Sequence, residues 1–335
     1  MSLRILTTSL LFTSSLSAPI GAITHWNCNT LSSSSLATGA LWEKLVCNGT
    51  GVPLFGSSES IVVNVVTGDL SPTTKLRLVP GVAAKGPSGF NLDSLDKIVA
   101  ANQPSTGTNL AAINGGYFYR LDVKTFFDGV CIGKNSNEAS QAPSLTAPNN
   151  GINDGTIVIG GQLLGSNCDC VGYSRPVVFT LNGTSSHFDI LTRGAEPPSG
   201  LTLDAVSSSP NLVSTNASGS YVDIPSDDDN LGNILEHSAN TGVCLRPSLD
   251  GTSVEVVMLT IDGHDGCSSF NSTCGTNAFS MAYLLKDYFN CTSGMNMDQG
   301  GSTTMFVNGQ PNNGIVSSSG GGPRAIASGL ILVGP

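Results

Sequence analysis

The 335-residue sequence contains few charged residues and few aromatic residues, at 11% and 6% of the chain. Its 14 lysine and arginine residues do not cluster and the formal net charge is -10, so nucleic acid is not an expected partner. It has no apolar run of membrane-spanning length, so we expect no transmembrane segment. The hydrophobic fraction of 39% is still enough to bury a core, which excludes a disordered chain.

Several catalytic and cofactor signatures are missing as well. The sequence has no P-loop and no nucleophile elbow, and its nine cysteines show no spacing typical of zinc sites. We therefore expect no metal and no cofactor. A catalytic cysteine is disfavoured because no histidine motif accompanies one.

The cysteines instead suit disulfide bonds in an oxidising compartment. We expect Cys28 to pair with Cys47, and a local bridge to form among Cys267, Cys274 and Cys291, which flank a predicted helix. The odd cysteine count leaves one thiol free or intermolecular.

The first 22 residues predict a secretory signal, because Arg4 precedes a short apolar run that is followed by small residues. An N-terminal strand or helix is the alternative interpretation. Together with a signal, N-x-[ST] sequons favour a secreted glycoprotein that carries these asparagines on its surface. The sequons are at Asn48, Asn182, Asn216, Asn271 and Asn290. Export to the medium and delivery to a lysosome-like compartment both remain open, and the sequence indicates no oligomeric state.

The pattern of apolar residues predicts an α+β fold: a strand-rich mixed sheet system with one main packed helix at about 276–289. Residues 23–58 form a weakly patterned Ser/Gly-rich segment before the main domain, which we place at 59–335. One face of the helix is apolar at helical spacing, through Ala278, Met281, Ala282, Leu285 and Phe289. A shorter helix is predicted at 91–103. The main predicted strands are 60–68, 75–81, 109–118, 156–164, 175–183, 187–191, 209–215, 253–263 and 324–334.

Polar residues stand at three places where an apolar strand stops, and strand ends hold side chains rigidly while leaving them exposed. In "AAINGGYF", Asn114 is followed by Gly115 and Gly116, which let a ligand or another backbone approach closely. A turn that requires positive φ is the simpler interpretation. In "MLTIDGHDG", Asp262 ends an apolar run. An Asp-Gly turn accounts for an aspartate at this position as well as a functional role does. A metal site formed by Asp262, His264 and Asp265 is a further alternative, but the spacing of these residues matches no standard metal-binding loop.

The third place is "NMDQGGSTTMFVNG", where Asp298 follows a short strand. Gly300 and Gly301 can turn successive N–H groups toward one point and form a nest for an anion. The hydroxyl residues Ser302, Thr303 and Thr304 follow. An exposed acid beside an anion cradle suits a substrate with a reactive carbon next to a phosphate.

These motifs resemble the phosphodiester glycosidase domain. The resemblance rests on "AINGGYF", "TIDG", "AFSMAYLLKDYF", "MNMDQGGSTTMFVNG" and "GPRAIASGLILVG", which follow the family's order and cover roughly residues 60 to 334. "RPVVFTLNG" and "SSSPNLVS" also resemble segments of the family. The resemblance implies hydrolysis of a sugar-1-phosphodiester at the glycosidic C–O bond, which releases a sugar from a phosphate monoester. The positions that match are Asn114, Gly115, Gly116, Asp262, Asp298, Gly300, Gly301, Ser302, Thr303 and Arg324.

On this interpretation Asp298 is the nucleophile or general base, and Asp262 is the second carboxylate, an acid or an orienting group. Asn114 positions the sugar or water beside the Gly115 and Gly116 backbone. The phosphate is expected to be bound by Gly300, Gly301, Ser302, Thr303 and Arg324, with Arg175 in reserve. For Arg324, a surface position before the last strand is the alternative. A secreted, non-catalytic binding module for sugar-phosphate glycans is the alternative for the whole chain.

The sequence departs from the family's pattern at two positions. Gln299 stands where the family usually has a first glycine. The family also has Arg-Thr before the central strand, where this chain has Thr241 but no arginine. Arg246 is a possible substitute in a shifted register.

Overall fold

The structure is a computed structural model that describes most of the chain. The described residues are 26–49, 60–83, 85–86, 89–120, 150–153, 157–163, 177–181, 188–191, 203–208, 210–224, 236–248, 251–264, 274–319 and 323–335. Within these ranges, no helix is both long enough and apolar enough to cross a membrane.

Strands dominate the fold. The strands of the first half are β1 (Trp26–Ala37), β2 (Ala40–Gly49), β3 (Ser60–Asp69), β4 (Arg77–Val82), β5 (Lys85–Gly86), β6 (Gly89–Asn91), β7 (Thr108–Asn114), β8 (Phe118–Arg120), β9 (Asn150–Asn153), β10 (Ile157–Ile159) and β11 (Gln162–Leu163). Those of the second half are β12 (Val177–Leu181), β13 (Phe188–Leu191), β14 (Leu203–Ser207), β15 (Asn211–Asn216), β16 (Gly219–Val222), β17 (Asn240–Pro247), β18 (Val254–Ile261), β19 (Ser293–Asn296), β20 (Thr304–Val307), β21 (Ile315–Ser318) and β22 (Ser328–Gly334).

Two sheets form the centre of the fold. The large sheet has the strand order β1-β2-β3-β18-β17-β19-β15-β16, and the second sheet has the order β21-β20-β7-β22-β4. A buried apolar cluster between them contains Val66, Met258, Val243, Met305 and Leu330. Two smaller sheets have the orders β11-β10-β14-β12-β13 and β5-β6-β9-β8. The described strand pairings are antiparallel, as in the ladder of β17 with β18.

One helix covers the outer face of each central sheet. Helix α1 (Leu95–Ala101) packs Leu95 and Ile98 against the second sheet. Helix α2 (Ala278–Tyr283) begins after the Asn277 cap, whose side chain accepts a bond from the Ser280 N–H at 2.9 Å. It continues as a π-helical turn over Leu284–Tyr288. The resulting order of layers is helix, sheet, sheet, helix.

The predicted α+β class is confirmed, as is the apolar face of the main helix: Ala278, Met281, Ala282, Leu285 and Phe289 are all buried. Strands β14, β16 and β17 are among those that were not predicted. The weak pattern of residues 23–58 also did not predict β1 and β2, which form a hairpin that pairs with β3 along the large sheet. The domain boundary at residue 59 stays a prediction.

Two disulfide bonds link described cysteines. Cys28 pairs with Cys47 across the hairpin, as predicted. Cys291 does not take part in a local bridge, because it pairs with Cys244 on β17, 47 residues away. Cys274 is also disulfide-bonded. Cys267 lies outside the described residues.

Candidate active site

The face of the large sheet that meets the second sheet changes from apolar to polar between two neighbouring rows of residues. The apolar row consists of residues paired across five adjacent strands: Trp42, Val66, Met258, Val243 and Met295. Two residues further along the same strands, the polar row consists of Lys44, Asn64, Thr260 and Thr241, paired in the same way. Because residues two apart share a face of a sheet, the polar row continues the core face and marks where the core ends.

Asn114 connects the polar row to the second sheet. It ends β7 and is fully buried. Its carbonyl Oδ1 accepts bonds from Thr241 Oγ1 at 2.6 Å and from the Thr304 N–H at 3.1 Å. Its Nδ2 donates to the Asp298 carbonyl at 2.7 Å. The amide side chain is therefore fully engaged by protein, and it fixes the backbone that carries Asp298.

Asp298 follows β19 and is half-buried. Its N–H donates to the Gly115 carbonyl at 3.0 Å, so β7 and the Asp298 backbone hold each other at two points. One carboxylate oxygen, Oδ1, accepts the Gln299 N–H at 3.0 Å. The residue is thus positioned by its own turn and by Asn114.

The turn after Asp298 does not present the run of N–H groups that an anion nest requires. The N–H of Gly300 donates to Ala239 at 2.8 Å, and the N–H groups of Ser302 and Thr303 donate to Gln299 and Gly300. Gly300 has φ +60°, which favours glycine. Gln299 has φ −116° and ψ −173°, an extended conformation open to any residue, so glutamine at this position causes no backbone strain.

The hydroxyl groups of this turn are a better binding surface than its N–H groups. Ser302 Oγ, Thr303 Oγ1 and Thr304 Oγ1 are buried and find no hydrogen-bond partner among the described residues. The same holds for Thr260 Oγ1 in the polar row and for Ser328 Oγ at the start of β22. An unpaired buried polar group costs about 1–3 kcal/mol, and such groups commonly bind water or a ligand.

Asp262, the second predicted carboxylate, follows β18. Its Oδ1 accepts bonds from Ser317 Oγ at 2.6 Å and from Asn64 Nδ2 at 3.2 Å. Burial raises the pKa of Asp262, while the Ser317 bond, the charge of Lys44 and the Asn64 bond act in the opposite direction. The carboxyl group is therefore held by neighbours in both central sheets and keeps its proton to higher pH than an exposed aspartate.

The glycines after Asn114 admit other backbone rather than a ligand. A Cβ on Gly115 would collide with Ser328, and a Cβ on Gly116 would collide with the Ser207 carbonyl oxygen. The prediction that a backbone approaches here closely is thereby explained by β22 and β14. The sugar-binding role assigned to Gly115 and Gly116 stays a prediction.

The arginines considered for phosphate binding differ in their surroundings. The guanidinium group of Arg324 lies over the Phe118 ring, 5.5 Å from its centroid, and its Nε is buried without a partner among the described residues. Arg175 lies outside the described residues. Arg246 as a substitute for the family's arginine is wrong: it pairs with Glu255 at 2.8 Å, toward the opposite end of β17 from Thr241. The sequence pattern could not reveal this, because it does not fix where the strand pairs.

Asn240 occupies the position before Thr241 where the family's arginine would stand. It is fully buried, and its Nδ2 donates to the carbonyls of Ser238 at 3.0 Å and Thr276 at 2.6 Å. This side chain therefore supplies no positive charge. The described residues contain no group of three or more potential metal ligands; Asp265 of the alternative metal set lies outside them.

An open cleft of about 610 Å³ has Ser317, which bonds to Asp262, among its lining residues. Its lining is mainly uncharged and polar, and Asp96 is its ionisable member. The lining residues are Ser94, Asp96, Asn312, Asn313, Ile315, Val316, Ser317, Ser318 and Pro323.

Sequence reasoning missed Lys44, Asn64, Thr260, Ser317 and Ser328. Each lies on a strand whose face is decided by pairing, and only the alternation of neighbouring buried residues could have pointed to them. It singled out Asn114, Asp262 and Asp298, because each comes directly after an apolar run, and their functional roles stay predictions.

Comparisons with known proteins place the chain among related sequences and structures. A sequence model of the family described as phosphodiester glycosidase matches residues 108–333, which is more than half of the chain. No match was found among curated protein sequences.

Several solved structures share the fold. One is the catalytic domain of zebrafish N-acetylglucosamine-1-phosphodiester alpha-N-acetylglucosaminidase, auto-inhibited by its pro-peptide, with TM-score 0.53, 15% identity and coverage of 92% of this chain and 88% of that one. A protein from Burkholderia pseudomallei K96243 has TM-score 0.55 and 10% identity, with 93% and 98% covered. A hypothetical protein from Synechocystis has TM-score 0.50 and 12% identity; 89% of this chain is covered, and it spans 62% of the Synechocystis chain.

At these identities the structural likeness establishes the fold alone, and the family match covers β7, β17 to β20 and most of β22, including Asn114, Asp262 and Asp298. The chain therefore belongs to the phosphodiester glycosidase family.

Proposed function

We propose that this protein is a secreted hydrolase that cleaves a sugar-1-phosphodiester at the glycosidic C–O bond and releases free sugar and a phosphate monoester. The observation that carries the proposal is the position of Asp298: Asn114 holds its backbone, and the unpaired buried hydroxyls of Ser302 and Thr303 follow it. Membership of the family supports the same reaction class.

The chemistry of the leaving group suits this arrangement. Glycosidases generally need one carboxyl group to protonate a poor leaving group and a second to attack or to activate water. A phosphate monoester leaves more readily than an alcohol, since its second pKa is about 6. Stabilising negative charge on the departing phosphate therefore matters more than protonating it.

Asp298 acts in this proposal as the nucleophile or general base. As a base it takes a proton from water, the water oxygen bonds to the anomeric carbon, and the bonding electrons of the C–O bond stay on the phosphate oxygen. Asp262 is the second carboxyl group; its raised pKa suits a proton donor to that oxygen. Asn114 acts through Asp298 rather than on the sugar, because protein groups occupy its side chain.

We assign phosphate binding to the hydroxyl groups of Ser302 and Thr303, with the backbone at Gly300 and Gly301 shaping the turn. Arg324, whose guanidinium group lies over the Phe118 ring, supplies positive charge to the phosphate, and Arg175 is the alternative arginine for this role. The cleft beside Ser317 is assigned to the sugar, since an uncharged polar lining matches hydroxyl groups better than it matches phosphate. Disulfide bonds at Cys28–Cys47 and Cys244–Cys291 support a secretory destination.

A non-catalytic binding module is the second candidate. It is favoured by Asn240, which stands where the family has an arginine and whose amide is bonded to backbone carbonyls. In that case the same fold would bind a sugar-phosphate glycan without cleaving it.

A screen of chromogenic sugar-1-phosphodiesters tests the proposal. Turnover is expected in the wild type, with a loss of about 10²- to 10⁴-fold in kcat in Asp298→Asn, because a general base contributes that much. The matched control is Asp223→Asn, a half-buried acid that follows β16 at the edge of the large sheet and accepts a bond from Ser214. Thermal unfolding checks that both variants fold.

Saturable binding without product at any pH would favour the binding module and overturn the hydrolase proposal. Hydrolysis in 18O-labelled water separates a third possibility. Label in the released sugar indicates C–O cleavage, whereas label in the phosphate indicates a phosphodiesterase that breaks the P–O bond.

A further inference from the structure

The N-terminal hairpin contributes a cation to the candidate site. Lys44 on β2 is directly opposite Asn64 on β3, and Asn64 is directly opposite Thr260 on β18. Directly opposite residues share a face of the sheet, so Lys44 lies on the face that meets the second sheet. Glu43, its neighbour in sequence, is opposite Val65 and belongs to the other face.

Lys44 lies where the polar row meets Asp262. Asn64, its cross-strand partner, donates a hydrogen bond to Asp262 Oδ1 at 3.2 Å. The charge of Lys44 also acts directly on Asp262, where it lowers the pKa against the larger effect of burial. Lys44 is half-buried, so its charge is less screened than that of a surface lysine.

Besides Asp298, the other acid of the candidate site, and Asp96 of the cleft that Ser317 lines, few charges surround Asp262 on the described strands that pack near it. The second sheet contributes Ser317 from β21, which does not titrate. On β18 the next charged residue back from Asp262 is Glu255, at the other end of the strand, where it pairs with Arg246. His264 follows two residues later and its side chain is exposed. Lys44 is therefore the cation that the described strands bring to Asp262.

We propose that Lys44 is a positioning residue of the site, supplied by the hairpin from outside the residues that match the family, and that its ammonium group acts on the Asp262 carboxyl group through its charge. Lys44 precedes residue 108, where the family match begins. The hairpin is thus part of the site rather than a separate segment. The effect of Lys44 on turnover rests on the proposed hydrolysis, whereas its electrostatic effect on Asp262 does not.

The test compares the full chain with Lys44→Met, Lys44→Arg and Glu43→Gln. The first readout needs no substrate: carboxyl NMR follows the pKa of Asp262, with Asp262→Asn identifying its signal. Lys44→Met is expected to raise this pKa, Lys44→Arg to restore it, and Glu43→Gln to leave it nearly unchanged. Lys44→Gln, which keeps part of the apolar stem, replaces Lys44→Met if the latter does not fold.

The second readout is the pH profile of kcat/KM on the substrate found in the screen. Lys44→Met is expected to lower kcat/KM by about 10- to 100-fold, the range of a misplaced catalytic group, and to move the limb due to Asp262 to higher pH. Lys44→Arg should stay within about threefold of the wild type, since it keeps the charge.

An unchanged Asp262 pKa in Lys44→Met, or an equal change in Glu43→Gln, overturns the proposal. Failure of the arginine variant to restore the pKa overturns it too. A wild type without turnover refutes the hydrolase function instead, and the NMR comparison still decides whether Lys44 acts on Asp262.

Discussion

Thr241 and Asn114 form a short hydrogen-bonded link between the two central sheets at the site. Thr241 Oγ1 donates to Asn114 Oδ1 at 2.6 Å, and Asn114 in turn holds the Asp298 carbonyl. Neither side chain needs to touch a substrate in order to matter. Their role is to place Asp298 beside the hydroxyl groups that follow it.

Replacing Thr241 with valine tests this link. Thr241→Val keeps the shape but removes the donor, so we expect a loss of about 1–2 kcal/mol in unfolding free energy and a lower kcat. Thr241→Ser, which keeps the hydroxyl, is the matched control and should retain most of kcat. Chemical denaturation and steady-state kinetics measure both effects. Equal kcat in the valine and serine variants would show that the hydroxyl has no positioning role.

Asp262 makes stability depend on pH in a direction opposite to that of most aspartates. Burial raises its folded-state pKa above the ordinary 3.8, so its stabilising contribution is fully present below that value. The contribution is lost as the pH rises through the raised folded pKa. As the pH rises from 3.8 through the raised folded-state pKa, we therefore expect the Tm of Asp262→Asn to increase relative to the Tm of the wild type. A gain that instead appears as the pH falls would contradict the raised pKa.

At the scale of elements, the close approach of strands accounts for the double glycine after β7. The two glycines pack against β22 and β14, where a side chain would meet Ser328 or the Ser207 carbonyl. This packing brings the end of β7 close to the Asp298 turn. The glycines thus determine the site's geometry through backbone contacts.

Gly116→Ala is therefore expected to destabilise the fold by more than about 2 kcal/mol, since backbone rather than a flexible side chain must move. Gly251→Ala is the control: Gly251 has φ +69° and open space around its Cβ position, so its cost should be about 1–2 kcal/mol from the backbone alone. Urea denaturation measures the difference. Equal costs at the two positions would mean that the Ser207 contact is easily relieved.

The sequence predicted elements well where one pattern dominates, as in β3, β18 and the main helix. It predicted Asn114, Asp262 and Asp298 as site residues because an amide or acid directly after an apolar strand is a polar group that the core does not require. It could not predict the pairing partners, and pairing is what brings Lys44 and Asn64 to Asp262. The same limit explains the wrong inference about Arg246, whose partner is Glu255. The hairpin was missed because serine is abundant in β1 and leaves little apolar alternation.

At the scale of the whole molecule, the sequons within the described residues lie where glycans can be attached. Asn48, Asn216 and Asn290 are all exposed, whereas Asn182 and Asn271 lie outside the described residues. Exposure agrees with the expectation that the sequon asparagines are on the surface. It does not depend on the proposed activity.

Expression through a eukaryotic secretory pathway should therefore give a protein heavier than its 34.3 kDa chain, even after allowance for a removed signal. Enzymatic removal of N-glycans should lower the mass and convert each glycosylated asparagine to aspartate, which peptide mass spectrometry locates. Replacing Asn48, Asn216 and Asn290 by glutamine provides the control. An unmodified chain recovered from the medium would contradict glycosylation but not secretion.

The neighbouring apolar and polar rows have a consequence for quality control during folding. A slip of one residue in a single strand would turn its member of the polar row to the opposite face and move the apolar residue with it. The active arrangement and the dry core would then be lost in the same event. Turnover would therefore indicate that the strands are paired in the correct register. A chain that folds compactly with one strand out of register would be inactive.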